Sequence, residues 1–265
     1  MIDGGRYDKS INSDFYKKLK EKSVFFSQPI TYAPHTIAAM HAMFSGCYGI
    51  RTGTDSYWST YKFKKNQFKT ITEYLHDQNY YTSADIVSEI VIPKQGFDEF
   101  QIHDEQKDDL TLRHLELIEK TYTNNKNKNF FLYLQFSNIH TGISNEVLRV
   151  YDNFSEEYFQ NKKLNEKRYD KLFKKSELYL DKILEKINSL GLEKNSVILV
   201  MSDHGISVGE KIGERAYGAF CYDYTLRTFA YFIIPGFSPL EISQQVRTVD
   251  FMPSILELLY IPLDK

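Results

Sequence analysis

Residues 197–205 read Val-Ile-Leu-Val-Met-Ser-Asp-His-Gly. Five apolar residues in succession, rich in β-branched side chains, predict a short strand covered on both faces, as in a parallel sheet, rather than a half-exposed hairpin strand. The run stops at Ser202, and Asp203 and His204 then place a carboxylate and an imidazole at the strand's carboxyl end, with Gly205 releasing the backbone. A divalent cation that accepts both oxygen and nitrogen suits that pair. Taken alone, the dipeptide favours the plainer reading of a capping Asp beside a surface His.

Working outward, the same alternation recurs. Leu172, Phe173, Leu178, Leu180, Ile183, Leu184, Ile187 and Leu190 form a helical stripe that stops at Gly191, where a C-cap belongs. Before it, the polar run 124–129 is a solvated loop leading into a buried strand at 130–136, read as the central one. Earlier still, Phe68, Ile71, Tyr74 and Leu75 fall at helical spacing, and a turn at 76–79 leads to a strand at 80–86. Downstream, 228–234 reads as a strand ending at Pro235-Gly236, and 252–259 as a helix with Pro253 in its first turn. Strands alternating with amphipathic helices define an α/β fold, a mainly parallel central sheet with helices on both faces. Such sheets place their sites beyond the carboxyl ends of the strands, so the residues after 136 and after 201 draw attention. The least regular stretch, 137–165, reads as part of a substrate-facing insertion spanning 137–170.

Composition narrows the function classes. Thirty-three Lys and Arg against thirty-five Asp and Glu leave a net charge of −2 over 265 residues, so no global basic field argues for nucleic acid or an anionic membrane as partner. Apolar runs fall well short of the ~18–20 residues that span a bilayer, and the opening MIDGGRYDKS carries no hydrophobic signal region, so the chain as written reads as cytoplasmic. Cys47 and Cys221 are read as ordinary buried thiols.

What raises Asp203-His204 above a chance pair is its company. Asp3 and Arg6 stand in an Asp-x-x-Arg segment at the start, and Thr36 opens a small-residue helix ten residues before Gly46. Thr70 to Leu75 with Tyr80, Gly96-Phe97-Asp98, His140 after the 130–136 strand, Ser202-Asp203-His204-Gly205, and Thr248 to Leu259 follow in order. This series resembles the alkaline phosphatase superfamily, and within it the sulfatase-like hydrolases and phosphotransferases that use a Thr nucleophile. The resemblance is collinear over nearly the whole chain and implies a single catalytic domain, 1–265, with the superfamily's α/β/α sandwich. Relatives precede the Asp segment with a hydrophobic strand and continue past the last helix into a smaller subdomain. The expectation here is a sheet without that first strand and a chain without that subdomain.

The resemblance also implies roles. Asp3, Thr36, Asp203 and His204 would hold one divalent metal, with Mn²⁺, Zn²⁺ or Mg²⁺ favoured over Ca²⁺ by the imidazole among oxygen donors. A second metal is not expected, since no His follows His204. Thr36 would be the nucleophile, because coordination to a dication lowers the pKa of a hydroxyl otherwise too weak to attack; the bland alternative is a helix N-cap. His140 and Arg6 would meet the anionic group, Arg6 alternatively pinning the carboxylates from behind. Lys211, or Arg215, would replace a cationic residue that many relatives carry near Ala219. Thr36 cannot mature to the formylglycine aldehyde of sulfatases, which shifts the expected chemistry to phosphate-type esters of a small molecule, glycan or lipid. Sulfate-ester hydrolysis is the alternative among enzymes, and a non-catalytic member that keeps the fold and metal site is the alternative outside them.

Overall fold

The computed structural model of the chain describes residues 1–145, 156–214, 216–218 and 220–264. Its strands are β1 (Val24–Ile30), β2 (Tyr81–Ile86), β3 (Glu99–Ile102), β4 (Phe130–Leu134), β5 (Ile198–Met201), β6 (Ala230–Ile233) and β7 (Leu240–Arg247). They pair as β3-β2-β4 and as β5-β6-β1-β7. The gap between the two groups is closed by Ile2, which bridges in parallel to Phe136 beyond β4 and to Ser202 beyond β5. Ile2 N–H donates to the Met201 carbonyl at 2.8 Å, Asp3 N–H to Phe136 at 3.1 Å, and Phe136 N–H to Met1 at 2.9 Å. The central lane expected to be missing is therefore held by Met1–Asp3, and β4 lies beside the centre rather than in it. Every pairing is parallel except those of β6, which runs against both β5 and β1. With that one strand reversed, β1, Ile2, β4 and β5 all point their carboxyl ends to the same edge.

The helices are α1 (Tyr7–Asn12), α2 (Asp14–Lys20), α3 (Thr36–Ser45), α4 (Gly49–Thr52), α5 (Ile71–Asp77), α6 (Leu110–Asn124), α7 (Asn138–Ile143), α8 (Glu156–Gln160), α9 (Lys162–Ser189), α10 (Asp223–Leu226) and α11 (Phe251–Leu258). Successive strand residues feed opposite layers, as a period of two requires. Phe25, Val200 and Tyr231 pack with residues of α2, α6, α7 and α9, whereas Val24, Met201 and Phe232 pack with α3, α5 and α11. That is the expected α/β/α sandwich. The 28-residue α9 buries Tyr169, Leu172, Phe173, Tyr179, Leu180 and Ile183. At roughly 1.5–3 kcal/mol for each buried side chain, this stripe rather than intrinsic propensity holds so long a helix. A capping box between Thr70 and Glu73 starts α5, and Gly191, at φ 70°, follows the end of α9.

Several expectations are corrected. β1 and β7 lie outside the strands read from the sequence: Pro29 interrupts the first, beside a register irregularity at Phe26–Gln28, and β7 is a largely exposed, polar edge strand. The stretch after β4 is less irregular than its composition suggested, with α7, α8 and the start of α9 helical and Tyr158 fully buried. Residues 146–155 of that insertion, together with Arg215 and Ala219, lie outside the described residues. Neither cysteine is a buried thiol, since Cys47 is half-buried and Cys221 exposed. Among the described residues no helix is long and apolar enough to cross a membrane.

Candidate active site

Four short loops leave the shared carboxyl edge of the sheet, and the residues singled out in the sequence sit on them. Asp3 follows the Ile2 bridge, Thr36 follows the loop after β1, Asp203 and His204 follow β5, and His140 lies on α7 after β4. Asp3, Thr36, Asp203 and His204 are 2%, 8%, 0% and 1% exposed and meet at one point. Thr36 Oγ1 lies 3.2 Å from His204 Nε2 and 3.5 Å from Asp3 Oδ2. His204 Nε2 lies 3.7 Å from Asp3 Oδ1 and 3.5 Å from Asp203 Oδ2.

The hydrogen bonds around these groups leave a set of inward-facing polar atoms. His204 Nδ1 is 2.8 Å from the Gly205 carbonyl, which can only accept, so Nδ1 donates there and Nε2 is the ring nitrogen turned to the carboxylates. Asp203 Oδ1 accepts from the Gly4 and His204 N–H groups, and Asp3 Oδ2 accepts from Gln135 Nε2 at 2.7 Å. The other oxygens, Asp3 Oδ1 and Asp203 Oδ2, are buried without a hydrogen-bond partner. Burial, and then the facing Asp3 carboxylate, push the Asp203 carboxyl above its ordinary range. Two orphaned carboxylate oxygens converging out of water beside an imidazole nitrogen repel each other without a cation among them. The donor set fits one divalent ion.

Thr36 is not the N-cap of α3. That position belongs to His35, whose side chain accepts from Ala38 N–H, and Thr36 is the first helical residue with its hydroxyl turned to the carboxylates. His35 was not among the residues picked from the sequence, although it immediately precedes Thr36. Burial, with His204 adding to it, lowers its imidazole to about 4, so it is neutral near pH 7. Gln135 was also overlooked; its signal is that it is the one polar residue in the apolar run 130–136. Tyr217 carried no such signal. Its ring packs against that of His140, centroids 4.4 Å apart and tilted by 34°, and lies 6.2 Å from His204, and burial, with Asp3 nearby, keeps its phenol protonated.

The remaining sequence candidates stand apart from the four. His140 is joined to the site through Tyr217 and is partly exposed, with Nδ1 4.0 Å from Glu105. Arg6 is 6% exposed and spends its guanidinium on Asp8, Glu210 and the Ile206 carbonyl, between the rings of Tyr169 and Tyr224. It thereby ties the first segment to the loop after His204. Lys211 is exposed, its Nζ 5.9 Å from the Tyr222 ring, and makes no hydrogen bond or ion pair with the four. A second group, Asp85, His103 and His114, also brings metal-type donors within reach of one another on the β2 side of the sheet.

Backbone packing holds His204 in place. A Cβ on Gly205 would stand 2.0 Å from the Tyr224 carbonyl oxygen, a backbone atom with no room to yield, and Gly205 N–H donates to Thr225 at 2.9 Å. Gly205→Ala is therefore expected to lower stability by about 1–3 kcal/mol and to displace His204, seen as a reduced melting temperature and weaker divalent-ion binding in the same preparation.

An α/β/α sandwich with a carboxylate, imidazole and hydroxyl cluster at its carboxyl edge is the architecture of the alkaline phosphatase superfamily. The family model described as Sulfatase matches residues 5–261, and the chain belongs to that family. Solved structures share the fold. Ps i-CgsB in complex with k-i-k-neocarrahexaose aligns with a TM-score of 0.75 at 18% identity, covering 100% of this chain and 71% of that one. The lipoteichoic acid synthase LtaP from Listeria monocytogenes aligns at 0.76 with 16% identity, covering 100% and 72%. BT4656 in complex with D-glucosamine-2-N,6-O-disulfate aligns at 0.71 with 13% identity, covering 100% and 76%. No curated protein matches the chain.

Proposed function

We propose that the chain is a divalent-ion-dependent hydrolase or transferase of phosphate-type esters that acts through a covalent intermediate on Thr36. The observation that carries this reading is the Thr36 hydroxyl, 3.2 Å from Nε2 of His204 and 3.5 Å from Asp3, amid buried carboxylate oxygens that lack partners. A divalent ion held by Asp3, Thr36, Asp203 and His204 would acidify that hydroxyl and offset charge on the ester oxygens.

The chain's own residues then have distinct tasks. Gln135 fixes the Asp3 oxygen toward which the Thr36 hydroxyl points. Thr36 Oγ1 attacks phosphorus, forming the Thr–O–P bond as the bond to the leaving alcohol breaks. Water or an acceptor hydroxyl then attacks the same phosphorus and frees Thr36. Neutral His35, the Tyr217 phenol and His140 are the donors placed to meet oxygens of the transferred group. Arg6 acts at one remove, through its grip on the loop 206–210. The similar structures, one in complex with k-i-k-neocarrahexaose, one with D-glucosamine-2-N,6-O-disulfate and one a lipoteichoic acid synthase, favour a glycan or glycolipid ester as substrate.

Sulfate-ester hydrolysis is the second reading, favoured by family membership and by the sulfated sugar in one similar structure. Thr36 weighs against it. Turnover of an aryl phosphate, an aryl phosphodiester and an aryl sulfate by the metal-supplemented protein separates the two: phosphate-type esters are expected to be cleaved faster. Preference for the sulfate would reverse the order, and inactivity on all three with metal bound would favour a binding protein.

A further inference from the structure

The Asp85, His103 and His114 cluster differs from the Asp3 site in that both Asp85 oxygens and both His103 nitrogens already have hydrogen-bond partners. Asp85 Oδ1 accepts from His103 Nδ1 at 2.6 Å, and Oδ2 accepts from Arg113 Nε, whose guanidinium supplies the positive charge a cation would bring. Because the carboxylate can only accept, His103 Nδ1 donates to it, and Nε2 is hydrogen-bonded to the Ser137 hydroxyl at 3.0 Å. His114 Nδ1 is paired with the Tyr179 hydroxyl at 2.7 Å, and its Nε2 faces Asp85 Oδ1 at 3.6 Å. His103, His114 and Asp85 are 2%, 0% and 0% exposed. Burial would raise the Asp85 carboxyl, yet His103, His114 and Arg113 hold it well below its usual range. Of the cluster only His114 Nε2 is buried without a hydrogen-bond partner, so the carboxylate is a paired, neutralised anchor rather than an open ligand set.

What the anchor holds is α7. His103 bonds Ser137, Glu105 Oε2 accepts from Thr141 Oγ1 at 2.7 Å, and Gln106 Oε1 accepts from Asn145 Nδ2 at 2.9 Å. Positions 137, 141 and 145 recur every four residues, so three side chains of the segment after β3 grip one face of the α7 turn and its continuation. The same Glu105 oxygen stands 4.0 Å from His140 Nδ1, and the His140 ring packs on Tyr217 at 4.4 Å.

We propose that His103 and Glu105 are positioning residues for the reaction: anchored through Asp85, they fix α7 and so set His140 against Tyr217 at the mouth of the Thr36 site. The inference rests on the role assigned to His140 above. Neither residue need touch substrate. A displacement of His140 by a fraction of an ångström to an ångström is enough to cost rate without loss of fold or metal.

The test is a double-mutant cycle on the metal-loaded full chain with the best aryl ester. Ser137→Ala, His103→Ala and Glu105→Ala are each expected to lower kcat about 10- to 100-fold with KM nearly unchanged and bound metal at the wild-type level. Ser137→Thr, which keeps the hydroxyl, should retain most of the rate. Combined with His140→Ala, each should cost no more than His140→Ala alone. Amide exchange over 138–145 should quicken in Ser137→Ala and not in Ser137→Thr. Ser137→Ala removes only a hydroxyl, so it decides the matter even where His103→Ala fails to fold. Effects that add to that of His140→Ala, or wild-type rates in Ser137→Ala and Glu105→Ala beside a crippled His140→Ala, would overturn the positioning role alone. A fully active His140→Ala would overturn the assignment of His140 and this inference with it.

Discussion

Thr36→Ala is expected to lose on the order of 10³- to 10⁶-fold in kcat while substrate still binds, because the attacking atom is gone but the walls of the site remain. Thr36→Ser should sit between the wild type and Thr36→Ala, since its hydroxyl survives but gains rotamer freedom that β-branching restricts in Thr. Stability gives an independent reading. Loss of an N-cap costs about 1 kcal/mol, but the cap of α3 is His35, so Thr36→Ala should melt within a few degrees of the wild type. A rapid acid quench during turnover should leave phosphate on Thr36 of the wild type and none on the Ala variant. Near-normal turnover by Thr36→Ala would end the nucleophile assignment whatever its melting temperature.

Asp203→Asn should abolish tight divalent-ion binding, and with it turnover, while leaving the chelated protein at least as stable as chelated wild type. The reason is local. Asp203 Oδ1 accepts from Gly4 and His204 N–H groups, which an Asn oxygen can still satisfy, whereas Oδ2 is a buried charge facing Asp3 and His204 without a hydrogen-bond partner. Removing that charge relieves repulsion in the metal-free site and removes a ligand from the loaded one. Wild type should therefore gain about 2.7 kcal/mol at an ion concentration one hundred times its Kd, and the variant nothing. Elemental analysis of gel-filtered protein should find one ion per wild-type chain. A wild-type melting temperature indifferent to both chelator and added Mn²⁺, Zn²⁺ or Mg²⁺ would defeat the metal assignment.

The order of strands and helices was readable because burial writes itself into periodicity. The apolar runs at 130–136 and 197–201 and the stripe at 172–190 each announce an element covered by others. β1 and β7 announce little. Pro29 and the irregular register make β1 look like a loop, and β7, at the sheet's edge, has no second face to bury, so its side chains are polar. The reversal of β6 is equally silent, since Ala230–Ile233 has the same apolar character in either direction.

At the site, the sequence by itself supplied the chemistry: a hydroxyl at a helix start, a carboxylate-imidazole pair at a strand end, and an early Asp, in the family's order. Residue type and sequential neighbours suffice for that, because they are what the chemistry requires. Only the tertiary structure decided who faces whom. Asp3 and Asp203, two hundred residues apart, become neighbours because parallel pairing through Ile2 brings their strand ends to one edge. Arg6, three residues from Asp3, is drawn into a buried ion pair with Glu210 instead of facing the Thr36 hydroxyl. His35 takes the cap that Thr36 could have taken, and His103 reaches Ser137 across thirty-four positions. Hydrogen bonds between distant residues leave no periodic trace, because their partners are chosen by packing in three dimensions rather than by spacing along the chain.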